Sequence, residues 1–401
     1  MSDVTQGFSQ FLSTYGPGAM LDLPDHAVIM SGLDDWPGSD QEARTIHEVR
    51  LSRLIRQALP NRFSLPPRLM TPPPHDAAAR IRRPVPVRVF PQWFVANVSP
   101  EGAHIGAAHE TVRPMIEYDS VSEKGPKGML HKFPGGSAKS GLNPIRFVAS
   151  CPNGHLEDID WRSVVHRRSG GRDCRKALSW VESGVSADPD AIRIRCACGS
   201  QVSLAELHIE GFLGTCTASH PWLNPRRQSG DECREALRLL ARSATNAYFP
   251  QTVSIISLPA QADALTDLLD GNWTTIAKFL TMPGRADVVR TLLSPRLDGA
   301  SDDEIDRAID RIAAGDTTDA SNDDPRIEEF ERLGARHGAI GQDGAASPLY
   351  GERLPRKEVD RGAVAARLID EIVRVHRLRE VACLYGFTRL EPAPNALESE
   401  L

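Results

Sequence analysis

The sequence predicts an α+β protein with a β-rich N-terminal part, a central module dense in cysteine and histidine, and a helical C-terminal part. Three observations predict it. Residues 1–100 contain short apolar runs broken by turn residues, such as Ala19-Met20-Leu21-Asp22-Leu23 and His26-Ala27-Val28-Ile29-Met30-Ser31 after the tight turn Tyr15-Gly16-Pro17-Gly18. Six of the seven cysteines fall between Cys151 and Cys233. From Asp231 onward, apolar residues recur mostly at helical spacing. The expected divisions are residues 1–145, 146–245 and 246–401.

The elements follow in order. The two apolar runs form an early hairpin or corner. Val49, Leu51, Leu54, Ile55 and Leu59 give a helix over Glu48 to Leu59. Pro60 to Pro91 is proline-rich and reads as an extended connection, with Phe90-Pro91-Gln92-Trp93-Phe94-Val95 as a buried strand after it. Residues 101–145 show little periodicity and read as a long surface loop. Ala191 to Cys198 and Ser200 to Ile209 read as strands or short elements around a turn at Gly199. Leu237, Leu239 and Leu240 suggest an amphipathic helix over Cys233 to Thr245, and Thr252 to Leu258 is a β-branched strand. Short helices are expected over Ala260–Leu269, Trp273–Leu280 and Ala286–Leu293. Ser301-Asp302-Asp303-Glu304 is a capping box before a further helix. Glu358 to Leu384 reads as one long helix broken by Gly386.

No apolar run approaches the ~20 residues of a membrane span. Met1 to Gly18 lacks a basic start followed by an apolar core, so a secretory signal is not expected and the protein should be cytoplasmic. Disulfides do not persist in that compartment. The clustered residues are Cys151, His155, His166, Cys174, Cys196, Cys198, Cys216, His220 and Cys233. Thiolates and neutral imidazoles are the ligands tetrahedral Zn²⁺ favours, and a turn-rich region gains folding free energy from such an ion. Cys151-Pro152-Asn153-Gly154-His155 resembles one zinc knuckle, and Cys196-Ala197-Cys198-Gly199 a tighter second one. The first grouping the spacing suggests is a Cys₄ site of Cys196, Cys198, Cys216 and Cys233. Cys151, His155, His166 and Cys174 then form a second. A single site drawing on both groups also fits. The competing reading, cysteine as a small buried hydrophobe, suits the isolated Cys383. Glu157, Asp158 and Asp160 are spaced to hydrogen-bond a metal-bound imidazole.

Catalytic patterns are lacking. There is no C-x-x-C and no H-E-x-x-H, and His155-Leu156-Glu157 has no P-C-x-x-C after it. Gly135-Gly136-Ser137-Ala138-Lys139-Ser140 misses the P-loop pattern. Charge is uneven: residues 1–245 hold 29 Lys and Arg against 26 Asp and Glu, while residues 246–401 hold 18 against 27. That excludes a uniformly basic nucleic-acid binder but suits one basic face beside an acidic half. Arg162, Arg167, Arg168, Arg172, Arg175 and Lys176 form the densest basic stretch, suited to phosphates. Trp161 and Trp180 flank it and could stack on unpaired bases. Arg80, Arg82, Arg83 and Arg88 form a weaker second patch.

Several of these segments together resemble a known family. They are Tyr15-Gly16-Pro17-Gly18, Phe90-Pro91-Gln92-Trp93-Phe94, Cys151-Pro152-Asn153-Gly154-His155-Leu156 with Trp161, and Cys196-Ala197-Cys198-Gly199. Pro221-Trp222-Leu223, Ser243-Ala244-Thr245-Asn246-Ala247-Tyr248-Phe249-Pro250 and Gly386-Phe387-Thr388-Arg389-Leu390 continue the pattern. The chain resembles the DrmB family of the bacterial DISARM anti-phage system. The resemblance implies a non-enzymatic partner of a DNA helicase subunit that helps it engage foreign DNA. Two departures stand out. Ala96-Asn97-Val98-Ser99 occupies a place where the family commonly carries cysteines. The family also continues past the Gly-Phe-Thr-Arg segment into a DUF1998 domain, which implies either a separate DUF1998-type subunit or a reduced relative. The expected function is a zinc-holding DNA-binding or scaffold subunit of a defence complex. An adaptor without DNA contact is the alternative, and a nuclease or hydrolase lacks any motif.

Overall fold

The computed structural model describes residues 7–23, 26–36, 44–59, 63, 67–73, 75–76, 81–82, 85–97, 110–125, 128–133, 139–170, 173–183, 191–224, 232–258, 265, 268–269, 272–294, 297, 300–314, 325–334, 340–341, 349–354 and 372–392. Among them, no helix is long and apolar enough to cross a membrane. The chain divides into two compact units, each assembled from separate stretches. The first comprises Met1–Asp40, Pro72–Gln251 and Gly386–Asn395; the second comprises Gln41–Thr71, Thr252–Tyr385 and Ala396–Leu401.

The first unit is built on an eight-stranded antiparallel sheet. Its spatial order is Glu123–Gly125, Gly128–Lys132, Lys139–Pro144, Trp93–Ala96, Glu110–Glu117, Leu178–Ser183, Ile192–Cys196 and Gln201–Ser203. The strand expected at Phe90–Val95 is observed over Trp93–Ala96 inside this sheet, and all four of the observed strand's residues are buried. Side chains alternate across a strand. Accordingly, Trp93 and Val95 join one core cluster while Phe94 and Ala96 join another. The long surface loop expected over residues 101–145 is corrected by four of these strands, Glu110–Glu117 through Lys139–Pro144. Gly128–Lys132 and Lys139–Pro144 each bury a single apolar residue, Met129 and Leu142. So few inward apolar positions leave no visible alternation.

Two three-stranded sheets and the short pair His75–Asp76 with Ile81–Arg82 accompany the eight-stranded sheet in this unit. The expected early hairpin is Met20–Leu23 paired with His26–Met30, and Val87–Val89 joins its second strand. In the other sheet, Phe147–Ser150 lies between Leu156–Glu157 and Arg238–Ala241. The helix expected over Cys233–Thr245 is therefore corrected: Leu239 and Leu240 lie in a strand opposite Ala149 and Val148. The short helix Trp161–His166 is capped by Asp160, whose Oδ1 accepts the Ser163 N–H at 3.1 Å.

In the second unit, the helix Val49–Ala58 forms as its apolar spacing predicts. Leu51 and Ile55 pack with Val253, Ile255 and Val381. A polar network fixes the same region. The Ser257 hydroxyl donates to Glu48 Oε2 at 2.7 Å and accepts from Arg379 Nη2 at 2.8 Å. Helices Arg285–Leu293 and Asp302–Ala314 bury Val289, Ile305, Ala308, Ile309 and Ile312 in one cluster. The capping box is present: Ser301 N donates to Glu304 Oε2 at 2.8 Å and Glu304 N donates to Ser301 Oγ at 3.3 Å. The C-terminal part is nevertheless mixed rather than helical. Ile340–Gly341, Leu349–Arg353 and Val373–Leu378 form an antiparallel sheet, and Glu380–Thr388 pairs with Phe249–Ile256. The long helix expected over Glu358–Leu384 is overturned from Val373 onward; its earlier part lies outside the described residues.

Ile309 is fully buried among the C-terminal helices. Ile309→Ala should destabilise the protein by about 2–5 kcal/mol through lost burial and a residual cavity. Leu292→Ala, at a half-exposed position, should shift stability by about 0.5 kcal/mol or less. Urea unfolding of the two variants measures the difference.

Candidate metal centres

Eight thiol and imidazole groups converge into two sets of four. The first set is Cys151, His155, Cys216 and Cys233, and the second is His166, Cys174, Cys196 and Cys198; in each, the ligand atoms lie within 4.8 Å of one another. Every residue proposed from the sequence as a ligand is present, but the grouping differs. The expected Cys₄ set of Cys196, Cys198, Cys216 and Cys233 is split, two to each site, as is the second expected set.

Strand pairing causes the exchange. Cys151 follows the strand Phe147–Ser150, whose antiparallel partner is Arg238–Ala241. The isolated bridge Thr215↔Ala236 and the Cys216 N–H to Glu235 carbonyl bond of 2.9 Å bring Cys216 and Cys233 to that strand end. Between Cys151 and His155 the chain makes a knuckle. Gly154 N donates to the Cys151 carbonyl at 3.0 Å, and Gly154 holds φ +79°. A residue with a side chain rarely adopts that conformation, which explains the glycine. Cys151 Sγ and Cys216 Sγ each lie 3.4 Å from His155 Nδ1, and Cys151 Sγ lies 3.9 Å from Cys233 Sγ.

The second set collects around the other knuckle. His166 ends the helix Trp161–His166, and Cys196 ends the strand Ile192–Cys196. The turn after it is closed by Gly199 N to the Cys196 carbonyl at 2.9 Å, with Gly199 at φ +103°. His166 Nε2 lies 3.2 Å from Cys198 Sγ, and Cys174 Sγ lies 3.6 Å from Cys196 Sγ. His166 Nδ1 donates to the Arg162 carbonyl at 2.7 Å. That bond fixes the tautomer that leaves Nε2 open to a metal, the usual arrangement around a ligating histidine.

These separations fit a tetrahedral ion. Zinc bonds of ~2.3 Å to sulfur and ~2.0 Å to nitrogen imply edges of ~3.8 Å between sulfurs and ~3.5 Å between sulfur and nitrogen. The observed separations fall close to both values. Backbone and side-chain donors also aim at the sulfurs. Ala218 N donates to Cys216 Sγ at 3.3 Å, Asn153 Nδ2 to Cys233 Sγ at 3.5 Å, and Ser200 N to Cys198 Sγ at 3.5 Å. The sites differ in burial. Cys151, Cys196 and Cys216 belong to the main core cluster, whereas Cys198 is exposed. Burial pushes the Cys151 and Cys216 thiols up, and Cys196 up to about 11. Hydrogen bonds from the Ser200 hydroxyl and N–H hold Cys198 down to about 6. A bound cation favours the thiolate at every one of these positions.

Other expected site residues have different roles. Glu157 Oε1 accepts the Thr217 N–H at 2.5 Å, Asp158 accepts from Gln92 N, and Asp160 caps its helix. These carboxylates are thus occupied by backbone N–H groups and side-chain caps, rather than by the ligating imidazoles. Trp161 and Trp180 are buried and pack edge-to-face with centroids 6.3 Å apart. This corrects the expectation that they stack on bases. Arg162 donates to the Lys176 carbonyl at 3.0 Å and covers the Trp93 ring. Arg167 donates to the Gly211 carbonyl at 2.8 Å and covers Phe212. Arg168 pairs with Glu206 at 2.6 Å yet is 71% exposed. Arg175 and Lys176 are exposed, and Arg172 lies outside the described residues. In the weaker patch, Arg88 pairs with Asp35 at 2.7 Å, while Arg80, Arg83 and the Arg82 side chain lie outside the described residues. Sequence reasoning missed Arg389, whose Nε donates to the Gly154 carbonyl at 3.2 Å. Its conspicuous Gly-Phe-Thr-Arg setting was the only signal.

The family described as "Domain of unknown function (DUF8724)" matches residues 7–249. The chain is also 29% identical over 285 residues to the DISARM protein DrmB of Bacillus paralicheniformis, covering 67% of this chain and 47% of that relative. It therefore spans about half the length of the curated relative it matches.

Two outcomes check the site. Cys196→Ser combined with Cys233→Ser should weaken metal binding at both sets, because each loses one candidate ligand. Under the sequence-proximity grouping the same pair would strip one site and leave the other intact. Bound zinc after chelator competition separates the cases. The second outcome concerns Asp158, which burial raises from 3.8 to about 7. Between those pH values the folded state holds a proton that the unfolded state lacks. The stabilisation is present below about pH 4 and is lost as pH rises through about 7. Asp158→Asn should flatten that slope in urea-unfolding free energies measured from pH 4 to 8.

Proposed function

The chain belongs to the DUF8724 family, and from that premise we propose that it is a non-enzymatic scaffold subunit of a cytoplasmic anti-phage defence complex. Its central module is held by two structural zinc ions. The observation that carries this reading is the pair of closed sites, each offering three sulfurs and one imidazole. Four protein ligands leave no position for a reacting water, which is the arrangement of structural rather than catalytic zinc. The likeness to DrmB supports the defence setting. Within it, the partner is a helicase subunit. A scaffold role also suits the placement of the cysteines, since three of them lie in the core shared with the large sheet.

Direct DNA contact is the second reading, supported by Arg168, Arg175 and Lys176. These are exposed side chains beside the second site. The surface is smaller than the sequence suggested, because Arg162 and Arg167 also serve neighbouring carbonyls and rings. It suits sequence-independent phosphate contact.

Both readings can be tested on the full chain. Cys151→Ser with Cys216→Ser should abolish co-purification with the helicase subunit and raise plaque counts to those of undefended cells. Retained assembly and protection would overturn the scaffold role of the zinc. Arg168→Ala, Arg175→Ala and Lys176→Ala together should weaken DNA binding about 10-fold or more at ~150 mM salt. They should also reduce the salt slope by up to about 3. An unchanged mobility shift would remove DNA contact through this surface and leave the adaptor reading.

A further inference from the structure

The segment Gly386–Leu390 belongs to the first unit although 134 residues of the second unit, Thr252–Tyr385, precede it. At its centre Arg389 is 1% exposed. Its guanidinium donates to three backbone carbonyls: Gly18 at 2.6 Å, Ala247 at 2.5 Å and Gly154 at 3.2 Å. It also lies against the rings of Trp222 and Phe387, at 5.2 and 4.9 Å from their centroids. The next residue continues the docking, with Leu390 N donating to the Asn246 carbonyl at 2.8 Å.

One of those carbonyls belongs to the first metal knuckle, between Cys151 and His155. A chain of ring contacts reaches the same ligand by another route. His155 packs edge-to-face on His220 at 4.8 Å, His220 on Trp222 at 5.1 Å, and Trp222 on Phe387 at 5.3 Å. Backbone and rings therefore meet the first site from one side, and both lead to residues 387–389. Among the described residues the second site has no such connection, and its imidazole is oriented by the Arg162 carbonyl instead.

Resting on the reading of the first site as a zinc site, we propose that Arg389 is a positioning residue for that metal and that zinc occupancy locks Gly386–Leu390 in place. The coupling is local and physical. The Gly154 carbonyl can meet Arg389 only when the Cys151–His155 turn is closed, and the metal holds that turn closed. A buried guanidinium that loses a carbonyl partner pays an unsatisfied-donor penalty. Opening the knuckle therefore favours release of the whole segment. Linkage makes the effect reciprocal: loss of Arg389 must weaken metal binding at the first site by the factor that metal loss weakens docking. A planar fork serving three carbonyls cannot be reproduced by a lysine.

Trypsin reports the docking directly, because it cleaves after Arg389. Cleavage after Arg290, in the helix Arg285–Leu293, serves as an internal reference in the same full-length chain. Zinc content of the wild-type protein is measured first. Cys233→Ser, which opens the first site, should raise the Arg389-to-Arg290 cleavage ratio about 10-fold or more. Cys174→Ser, which opens the second, should leave it unchanged. In a protein carrying Cys174→Ser, Arg389→Lys should weaken zinc retention at the first site by about 10-fold, within the range seen for outer-shell partners of metal ligands. An equal ratio in Cys233→Ser and wild type, or an equal rise in both cysteine variants, would overturn the coupling while leaving two zinc ions in place. A wild-type chain without zinc would overturn the metal reading, and the coupling with it.

Discussion

The proposed metal sites rest on sulfur and imidazole groups crowded into a protein core. Cys151, Cys196 and Cys216 are almost fully buried, and each faces other cysteine sulfurs or an imidazole at hydrogen-bonding distance or slightly beyond. Without a cation, burial drives these thiols toward their neutral form, and their weak donors satisfy one another poorly. A divalent ion inverts that situation by stabilising the thiolates, so the binding free energy becomes folding free energy. The sheet face carrying Trp93, Met115, Leu178, Trp180 and Ile194 packs on the same cluster. Under the two-zinc proposal, metal ligation and sheet packing reinforce one another within a single core.

The order of the ligands along the chain gives this core its logic. Those of the second site, His166 to Cys198, all fall inside the interval between His155 and Cys216 of the first. The sites are nested rather than crossed. Closing the inner site brings together groups about thirty residues apart, which carries a smaller loop-closure cost than the outer one. The outer site must gather Cys151 and Cys233 through the Phe147–Ser150 and Arg238–Ala241 pairing. It is also the site on which Arg389 and the ring series from His220 to Phe387 converge. The inner site has the exposed Cys198 and a local carbonyl for its histidine.

Local signals were legible in the sequence, whereas long-range register was not. The helix at Val49–Ala58, the apolar run that marks the strand at Trp93–Ala96, the turn at Gly199 and the Ser301–Glu304 capping box each show in residues only a few positions apart. All four were visible for that reason. The residues that converge into the two sets were equally visible, since cysteine and histidine are dense over this stretch of the sequence. Their grouping depended on which strands pair across about ninety residues, and chain proximity gave the wrong partition. Two errors have a different origin. Val373-Arg374-Val375-His376-Arg377-Leu378 begins with clean alternation, yet it was absorbed into a longer helical pattern. Leu237 and Leu240 lie at helical spacing while Leu237 and Leu239 lie at strand spacing, and only the partner strand at Phe147–Ser150 decides between them. The tryptophans beside the basic stretch looked available for stacking because sequence order does not show that Trp161 is fully buried.

The central claim is that eight residues hold two zinc ions in separate, chemically alike sites. X-ray absorption at the zinc edge, on the full chain as purified and with metal content measured alongside, tests it most directly. Two zinc ions per chain are predicted, with an average shell of three sulfurs at ~2.3 Å and one nitrogen at ~2.0 Å. A shell dominated by oxygen and nitrogen, or fewer than one zinc per chain, would contradict the account.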